Sequence, residues 1–211
     1  MSFSVVIPTM WKSNRIIDML NQLQSCDLVE DIIIIDNDYK NKLDVNLGFK
    51  VKYLKQEENI FVNPAWNLGV SEASSNIVCL LNDDVSFNVN SLFSQIYKCF
   101  DRFKCIGINS KSYGLEQGPH DIAITPGHHI KQGWGCCIFV DRSMWVNIPN
   151  ELKIFYGDNW IVKHYQPWSF TFPLKTELAT TSASKDIKIR MTSDEDDAAW
   201  LKIEKSIIHE N

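Results

Sequence analysis

Short runs of apolar, largely β-branched residues alternate along the chain with segments whose apolar residues recur at helical spacing. The runs at Phe3 to Ile7, Asp31 to Ile35, Val51 to Leu54, Ile77 to Leu81 and Cys105 to Ile108 read as strands. Parallel strands need long crossovers, and the intervening segments can supply them as helices. The alternation therefore predicts an α/β fold with a mainly parallel central sheet flanked by helices. With 211 residues, 45% of them hydrophobic, the chain holds enough apolar material for one substantial core. Residues 1–211 are read as a single domain with a short terminal helix over 193–211.

The first helix is expected to start near Ser13 as N-cap and to bury Ile16, Leu20 and Leu23. A second runs from Asn63 as cap through Trp66 to Ala73, with Pro64 at its first position, where a missing N–H costs nothing. A third has Asn90 as cap and Leu92, Phe93, Ile96 and Phe100 inward. From Ser110 to Gln132 no period is visible, and a loop that long predicts a mobile active-site segment. The last helix opens on Ser193-Asp194-Glu195-Asp196 and carries Lys202 and Lys205 later, which suits the helix dipole; a metal site is the rival explanation for the acids.

A net charge of -5 and a pI near 5.5 give no global pull toward nucleic acid or anionic lipid. The six cysteines form no C-x-x-C pair and read as reduced structural thiols. No apolar run reaches membrane-spanning length, and no charged leader precedes the first strand. A cytoplasmic protein without a membrane span is expected.

The stretch from Asn59 to Val85 is the most informative. A helix carrying Asn67 and Gly69 feeds a buried strand that ends in Asn82-Asp83-Asp84. In open α/β sheets, ligands collect at the carboxyl ends of strands. Paired carboxylates there repel one another unless a positive charge intervenes, and they suit a hard divalent cation.

These residues resemble the inverting, non-processive GT-A glycosyltransferases of family 2. Ser4-Val-Val-Ile-Pro8-Thr9 resembles that family's first strand and nucleotide-binding turn, and Asp31 to Asp38 its second strand, whose terminal acid, here Asp36, contacts base or ribose. Asn59 to Gly69 is similar to its N-x-G-x-x-x-x-x-N-x-G segment, and Leu80 to Val85 to its DXD motif. Gly133-Trp134-Gly135 and Phe155-Tyr156-Gly157-Asp158-Asn159-Trp160 look like the acceptor-side strand and the acidic motif with the catalytic base.

The resemblance implies a GT-A fold with a nucleotide-sugar-binding half over 1–110 and an acceptor-side half over 111–192. It implies Asp84 as ligand of Mn2+ or Mg2+, and Asp158 as catalytic base. Pro8, Thr9, Asp36, Asn59, Asn67, Asn82 and Asp83 are implied on the donor side. The partners implied are a nucleoside-diphosphate sugar, UDP first, and an acceptor saccharide or lipid-linked saccharide. A hydroxylated base of phage DNA is the alternative acceptor.

Taken singly, these features have plainer explanations. Pro8-Thr9 suits any strand-end turn, Asp36 a turn, and Asp158 a helix N-cap. Trp134, Tyr156 and Trp160 serve either as a sugar platform or as core. Asp38-Tyr39 stands where relatives have Gly-Ser, and Asn82 where they have Asp. No motif marks a histidine ligand, although His164 and His209 are candidates. His120, His128, His129 and Lys131 are candidates for meeting an anionic acceptor. Asp121 and Asp141 are the reserve candidates for the base.

The Q-x-x-R-W motif of processive synthases is absent, which predicts one sugar per encounter. The Gly-rich basic loop of nucleotidyltransferases and the G-x-G-x-x-G of dinucleotide-dependent oxidoreductases are also missing. A non-catalytic sugar- or nucleotide-binding module is the rival from another class, and the pair Asp84 and Asp158 argues against it.

Overall fold

In the computed structural model the strands fall where the apolar runs place them, within two residues at either end. The chain runs β1 (Phe3–Thr9), α1 (Arg15–Ser25), β2 (Val29–Asp36), β3 (Val51–Lys55), α2 (Val62–Glu72), β4 (Ile77–Leu81), β5 (Val85–Ser86) and α3 (Val89–Cys99). It continues through β6 (Cys105–Ile108), β7 (Ala123–Pro126), β8 (Cys137–Asp141), α4 (Gly157–His164), β9 (Trp168–Thr171), β10 (Lys175–Thr176) and α5 (Ile187–His209). The structure describes residues 1–38, 40, 47–109, 123–126, 133–176 and 187–209.

Among the described residues eight strands form the main sheet, in the order β3-β2-β1-β4-β8-β6-β9-β7. The first four are parallel, joined by right-sized crossovers through α1 and α2. Beyond β4 the sheet is mixed, since β8 runs antiparallel to both β4 and β6. Side chains alternate across the strands, so one face buries Val5, Ile7, Ile32, Ile34 and Cys79 against α1 and α3. The other buries Val6, Ile33, Ile35, Val78 and Leu80 against α2, α4 and α5. Helices cover both faces, as the near-continuous apolar strands require.

Gly69 explains the close approach of α2 to the sheet. A Cβ there would stand 2.1 Å from Val6 Cγ1, so only glycine lets the helix axis come this near.

Several expected boundaries differ. Asn14, not Ser13, precedes α1, and the Ser13 hydroxyl accepts the Arg15 N–H instead. Asn88, not Asn90, caps α3, accepting from Ser91 N at 2.9 Å. α2 begins at Val62, so Asn63 and Pro64 lie inside its first turn and Phe61 takes the cap position. Within the segment expected as one long loop, Ala123–Pro126 pairs with β9 as an edge strand. His120, Asp121, His128, His129 and Lys131 lie outside the described residues.

α5 starts at Ile187, ahead of the expected 193, so the acids from Asp194 to Asp197 sit in its body and not in its first turn. The dipole explanation for them therefore fails. No helix among the described residues is long and apolar enough to cross a membrane. The six cysteines are free thiols.

Candidate active site

The carboxyl ends of β1, β2 and β4 lie side by side. Thr9 is in register with Asp36, and Asn82 N bonds to Cys136 O just past β4. The Thr9 hydroxyl accepts from Trp11 N at 2.8 Å and donates to Asp83 Oδ2 at 2.6 Å. Asp83 is thereby tied to β1, while the charge of its neighbour Asp84 reaches Cys136. Burial, then the charges of Asp84, Cys137 and Asp158, push the Cys136 thiol up to about 12. Carboxylates from the two halves of the chain thus act on one side chain.

Asp158 is the second residue of α4. Its Oδ1 accepts the Asn159 N–H at 3.0 Å. Burial raises its pKa, and the backbone hydrogen bonds of Asn159 and Asp158 oppose the rise only in part. Gly135 lies against it, with ordinary van der Waals room for a Cβ at 3.5 Å from Asp158 Oδ2. The start of α4 is also packed on α2. The Asn63 amide donates to Phe155 O at 3.0 Å, and a Cβ on Gly157 would stand 2.1 Å from Asn63 Oδ1.

Beside Asp158 opens a cleft of about 450 Å³, lined by Asn82, Cys136, Tyr156, Trp66 and, from α5, Ser193 and Asp197. Among the described residues, three non-glycine residues adopt positive-φ backbone conformations, and they stand next to these elements. Trp11 (φ 56) follows β1, Phe61 (φ 65) precedes α2, and Tyr156 (φ 63) precedes α4. Such strain costs of order 1–3 kcal/mol per residue and collects at functional sites.

The remaining expected residues divide. Asp36 ends β2 at 1% exposure; its Oδ1 accepts from Asp38 N, and its Oδ2 from the Tyr53 hydroxyl. It is built into the strand end. Asn59 folds back to accept the Phe61 N–H at 2.9 Å and so shapes the turn before α2. Asn67, expected on the donor side, spends both ends of its amide on the Ile148 backbone, at 2.8 and 2.9 Å. Pro8 is buried in β1.

Trp134 is core, 1% exposed, with its indole across Gly107 of β6. Trp160 donates to Val146 O and packs on the exposed His164. Asp141 ends β8 at the opposite end of the sheet from the carboxyl ends of β1, β2 and β4, paired with Ile77 at the beginning of β4. Among the described residues no three His, Cys, Asp or Glu side chains gather to hold a metal by themselves.

One contribution was missed. Asp196 is fully buried and accepts the backbone N–H groups of Lys153, Ile154 and Phe155, each at 2.8 Å. Asp197 accepts the Tyr156 hydroxyl at 2.6 Å, and the Tyr156 ring stacks on Trp200 at 5.2 Å. These partners lie about forty positions away in sequence, so no local spacing signals them.

The model of glycosyl transferase family 2 matches residues 4–165, well over half of the chain. The chain belongs to that family. None of the curated proteins compared matches it in sequence. Among solved structures, this family 2 chain resembles S. aureus TarS 1-349 in complex with UDP-GlcNAc, with 16% identity and a TM-score of 0.61, covering 92% of this chain and 66% of that one. Another structure of S. aureus TarS is matched at 18% identity and a TM-score of 0.58, covering 92% of this chain, and there the chain spans 39% of the relative's length. A mannosyltransferase, PcManGT from Pyrobaculum calidifontis, in complex with GDP-Man and Mn2+, is matched at 13% identity and a TM-score of 0.57, covering 85% of this chain and 57% of that one. These likenesses show the GT-A fold. α5 lies beyond the family match, and its Ser193 and Asp197 line one side of the cleft.

Proposed function

We propose that this family 2 chain transfers one sugar from a nucleoside diphosphate, UDP first, to a saccharide hydroxyl with inversion at the anomeric carbon. What supports this reading is the cleft beside Asp158, which Asn82 of the strand-end polar run also lines, together with the influence that both Asp84 and Asp158 exert on the Cys136 thiol in that lining. The solved relatives holding UDP-GlcNAc and GDP-Man support a nucleotide-sugar donor.

On the donor side, Thr9, Asn82, Asp83 and Asp84 stand at the strand ends where a diphosphate would lie. Asp84, with Asp83 held by Thr9, suits Mn2+ or Mg2+ whose shell is completed by diphosphate oxygens and water, which fits the lack of a three-residue cluster among the described residues. Such an ion would supply charge neutralisation for the leaving diphosphate.

On the acceptor side, Asp158 accepts the proton of the attacking hydroxyl as its oxygen bonds to the anomeric carbon. The bond from that carbon to the diphosphate oxygen breaks, and the electron pair leaves with the nucleotide. Attack from the Asp158 side, opposite the leaving group, inverts the configuration. Burial keeps the Asp158 pKa above the ordinary carboxylate value, which makes it a better proton acceptor. Asp36, Asn59 and Asn67 shape this frame through the contacts they already make and are assigned no substrate contact.

Consumption of UDP-sugars, with and without manganese and with proton NMR of the product, tests the proposal. Metal-dependent UDP release with an inverted anomeric centre is expected. A retained configuration, or turnover indifferent to chelator, would contradict it.

A further inference from the structure

Asp158 stands at the start of α4, and the residues that lead into that helix are bound to α2, an element of the other half of the chain. We infer that Asn63 of α2 is the positioning residue for Asp158, setting from the donor-side half where the base stands. The inference rests on the transfer reaction proposed above and assigns Asn63 no contact with substrate. Asn63 falls on an unspecified position of the N-x-G-x-x-x-x-x-N-x-G segment, so the motif does not mark it.

The start of α4 has no side-chain cap of its own, because Tyr156 holds the cap position with φ 63 and makes no capping bond. Asn63 reaches the same turn from α2 in three ways. Its backbone N–H donates to Lys153 O at 3.0 Å and its side-chain amide to Phe155 O at 3.0 Å. Its Oδ1 fills the space beside Gly157, where a Cβ would stand 2.1 Å away. Gly157 directly precedes Asp158. Asp196 of α5 takes the N–H groups of residues 153–155, so this stretch has carbonyls bound by one helix and N–H groups by another.

The Asn63 side chain is fully buried, its NH2 is fixed by Phe155 O, and its Oδ1 has no hydrogen-bond partner among the described residues. A buried oxygen without a donor costs free energy that an apolar side chain of similar size would not. What the oxygen does is steric. It abuts Gly157 and so limits how closely the start of α4 can approach α2.

Asn63 is itself held from the donor side. Phe61, with φ 65, leads into α2, and its carbonyl accepts from Asn37 Nδ2 at 3.3 Å, while Ile60 N donates to Asn37 Oδ1 at 3.2 Å. Asn37 follows Asp36 at the end of β2 and is 3% exposed. The contacts therefore run from the end of β2, through the start of α2, to the residue before Asp158. A misplaced catalytic group costs on the order of a hundredfold in rate for about 1 Å.

The test measures UDP release from UDP-glucose, UDP-galactose and UDP-N-acetylglucosamine with Mn2+, with the methyl glycosides of the same sugars as acceptors. The pair that the parent uses fastest is carried to the variants. Asn63→Ala keeps the backbone bond to Lys153 and loses both side-chain contacts. Its kcat should fall about ten- to a hundredfold, while the donor KM and the calorimetric affinity for UDP stay like the parent's. A residue that only stabilised the fold would leave the kcat of folded protein unchanged, or would lower UDP affinity along with it. Gly157→Ala drives a Cβ against Asn63 and should lose kcat by a similar factor. The three atoms nearest to that Cβ all belong to Asn63. Asn63→Ala/Gly157→Ala should therefore be no slower than Asn63→Ala alone, where independent effects would multiply. If Gly157→Ala does not fold, the double variant should still fold and bind UDP.

An unchanged kcat in Asn63→Ala, a loss of UDP affinity that parallels the loss of rate, or a double variant that is unfolded or slowed by the product of its singles would each overturn the inference. The parent and Asp158→Asn separate it from the reaction. UDP release that is lost in Asp158→Asn and kept in Asn63→Ala leaves the reaction standing and removes the positioning role. No release by the parent, or release kept in Asp158→Asn, removes the reaction reading and the inference with it.

Discussion

Asp158 is costly to the fold in the form that the reaction uses. Its pKa is raised by burial, so the folded protein holds the proton more tightly than the unfolded chain does. The sign follows from linkage: stability from this group is fullest below the ordinary carboxylate value near 3.9 and is lost as pH rises through the elevated folded value. Asp158→Asn should accordingly match or exceed the parent's Tm near neutral pH, and that advantage should disappear in acid. Its transfer rate should fall about a hundred- to ten-thousandfold, and the rising acid limb of the parent's pH–rate profile should be lost with it. Calorimetric scans at acid and neutral pH, alongside initial rates, check both halves. A variant that is less stable at neutral pH than in acid, relative to the parent, would show that burial of the charge is not the controlling effect. At this scale the strand-end positions of Thr9, Asn82, Asp83 and Asp84 were legible, because each belongs to or directly follows an apolar strand run. Asn67 was not, because an amide that binds a distant backbone looks in sequence like one that binds a ligand.

At the scale of elements, strands were legible because period-two burial and β-branched runs mark them locally, as in Ile77–Leu81, found at its expected bounds. Helix starts were less so. Asn63 and Pro64 have the composition of a cap and first position, yet Phe61 occupies the cap with a positive φ while Asn63 turns inward to bind Phe155. Tertiary contact there outweighs capping preference. The same holds for α5, whose acids were read as dipole partners and prove to include the buried anchor Asp196. Removing that carboxylate would leave three N–H groups of residues 153–155 without their acceptor. At about 1–3 kcal/mol for a buried group left unsatisfied, Asp196→Ala should destabilise by roughly 3 kcal/mol or more. With about 2–4 °C of Tm per kcal/mol for chains of this size, a fall near 10 °C is expected, and Asp196→Asn, which keeps one acceptor oxygen, should lose less. An unchanged Tm in the Ala variant would mean that α5 is not anchored through this residue.

For the whole molecule, the parallel half of the sheet, β3-β2-β1-β4, carries Asp36 at the end of β2 and Asn82, Asp83 and Asp84 just past β4, while α4 and α5 bring Asp158 and Asp197 to the cleft that Asn82 also lines. The first half was readable because each strand and its terminal polar residues are contiguous in sequence. The second was not, because β7, β8 and α5 make their pairings across long separations that periodicity does not record. The account's central claim is this division of labour, with Asp84 serving the nucleotide through a cation and Asp158 serving the acceptor. Calorimetry of UDP binding, with and without Mn2+, on the parent, Asp84→Asn and Asp158→Asn tests it most directly. The account predicts manganese-dependent binding in the parent, the same affinity in Asp158→Asn, and loss of the manganese-dependent part in Asp84→Asn. Intact manganese dependence in Asp84→Asn, or loss of UDP affinity in Asp158→Asn, would contradict it.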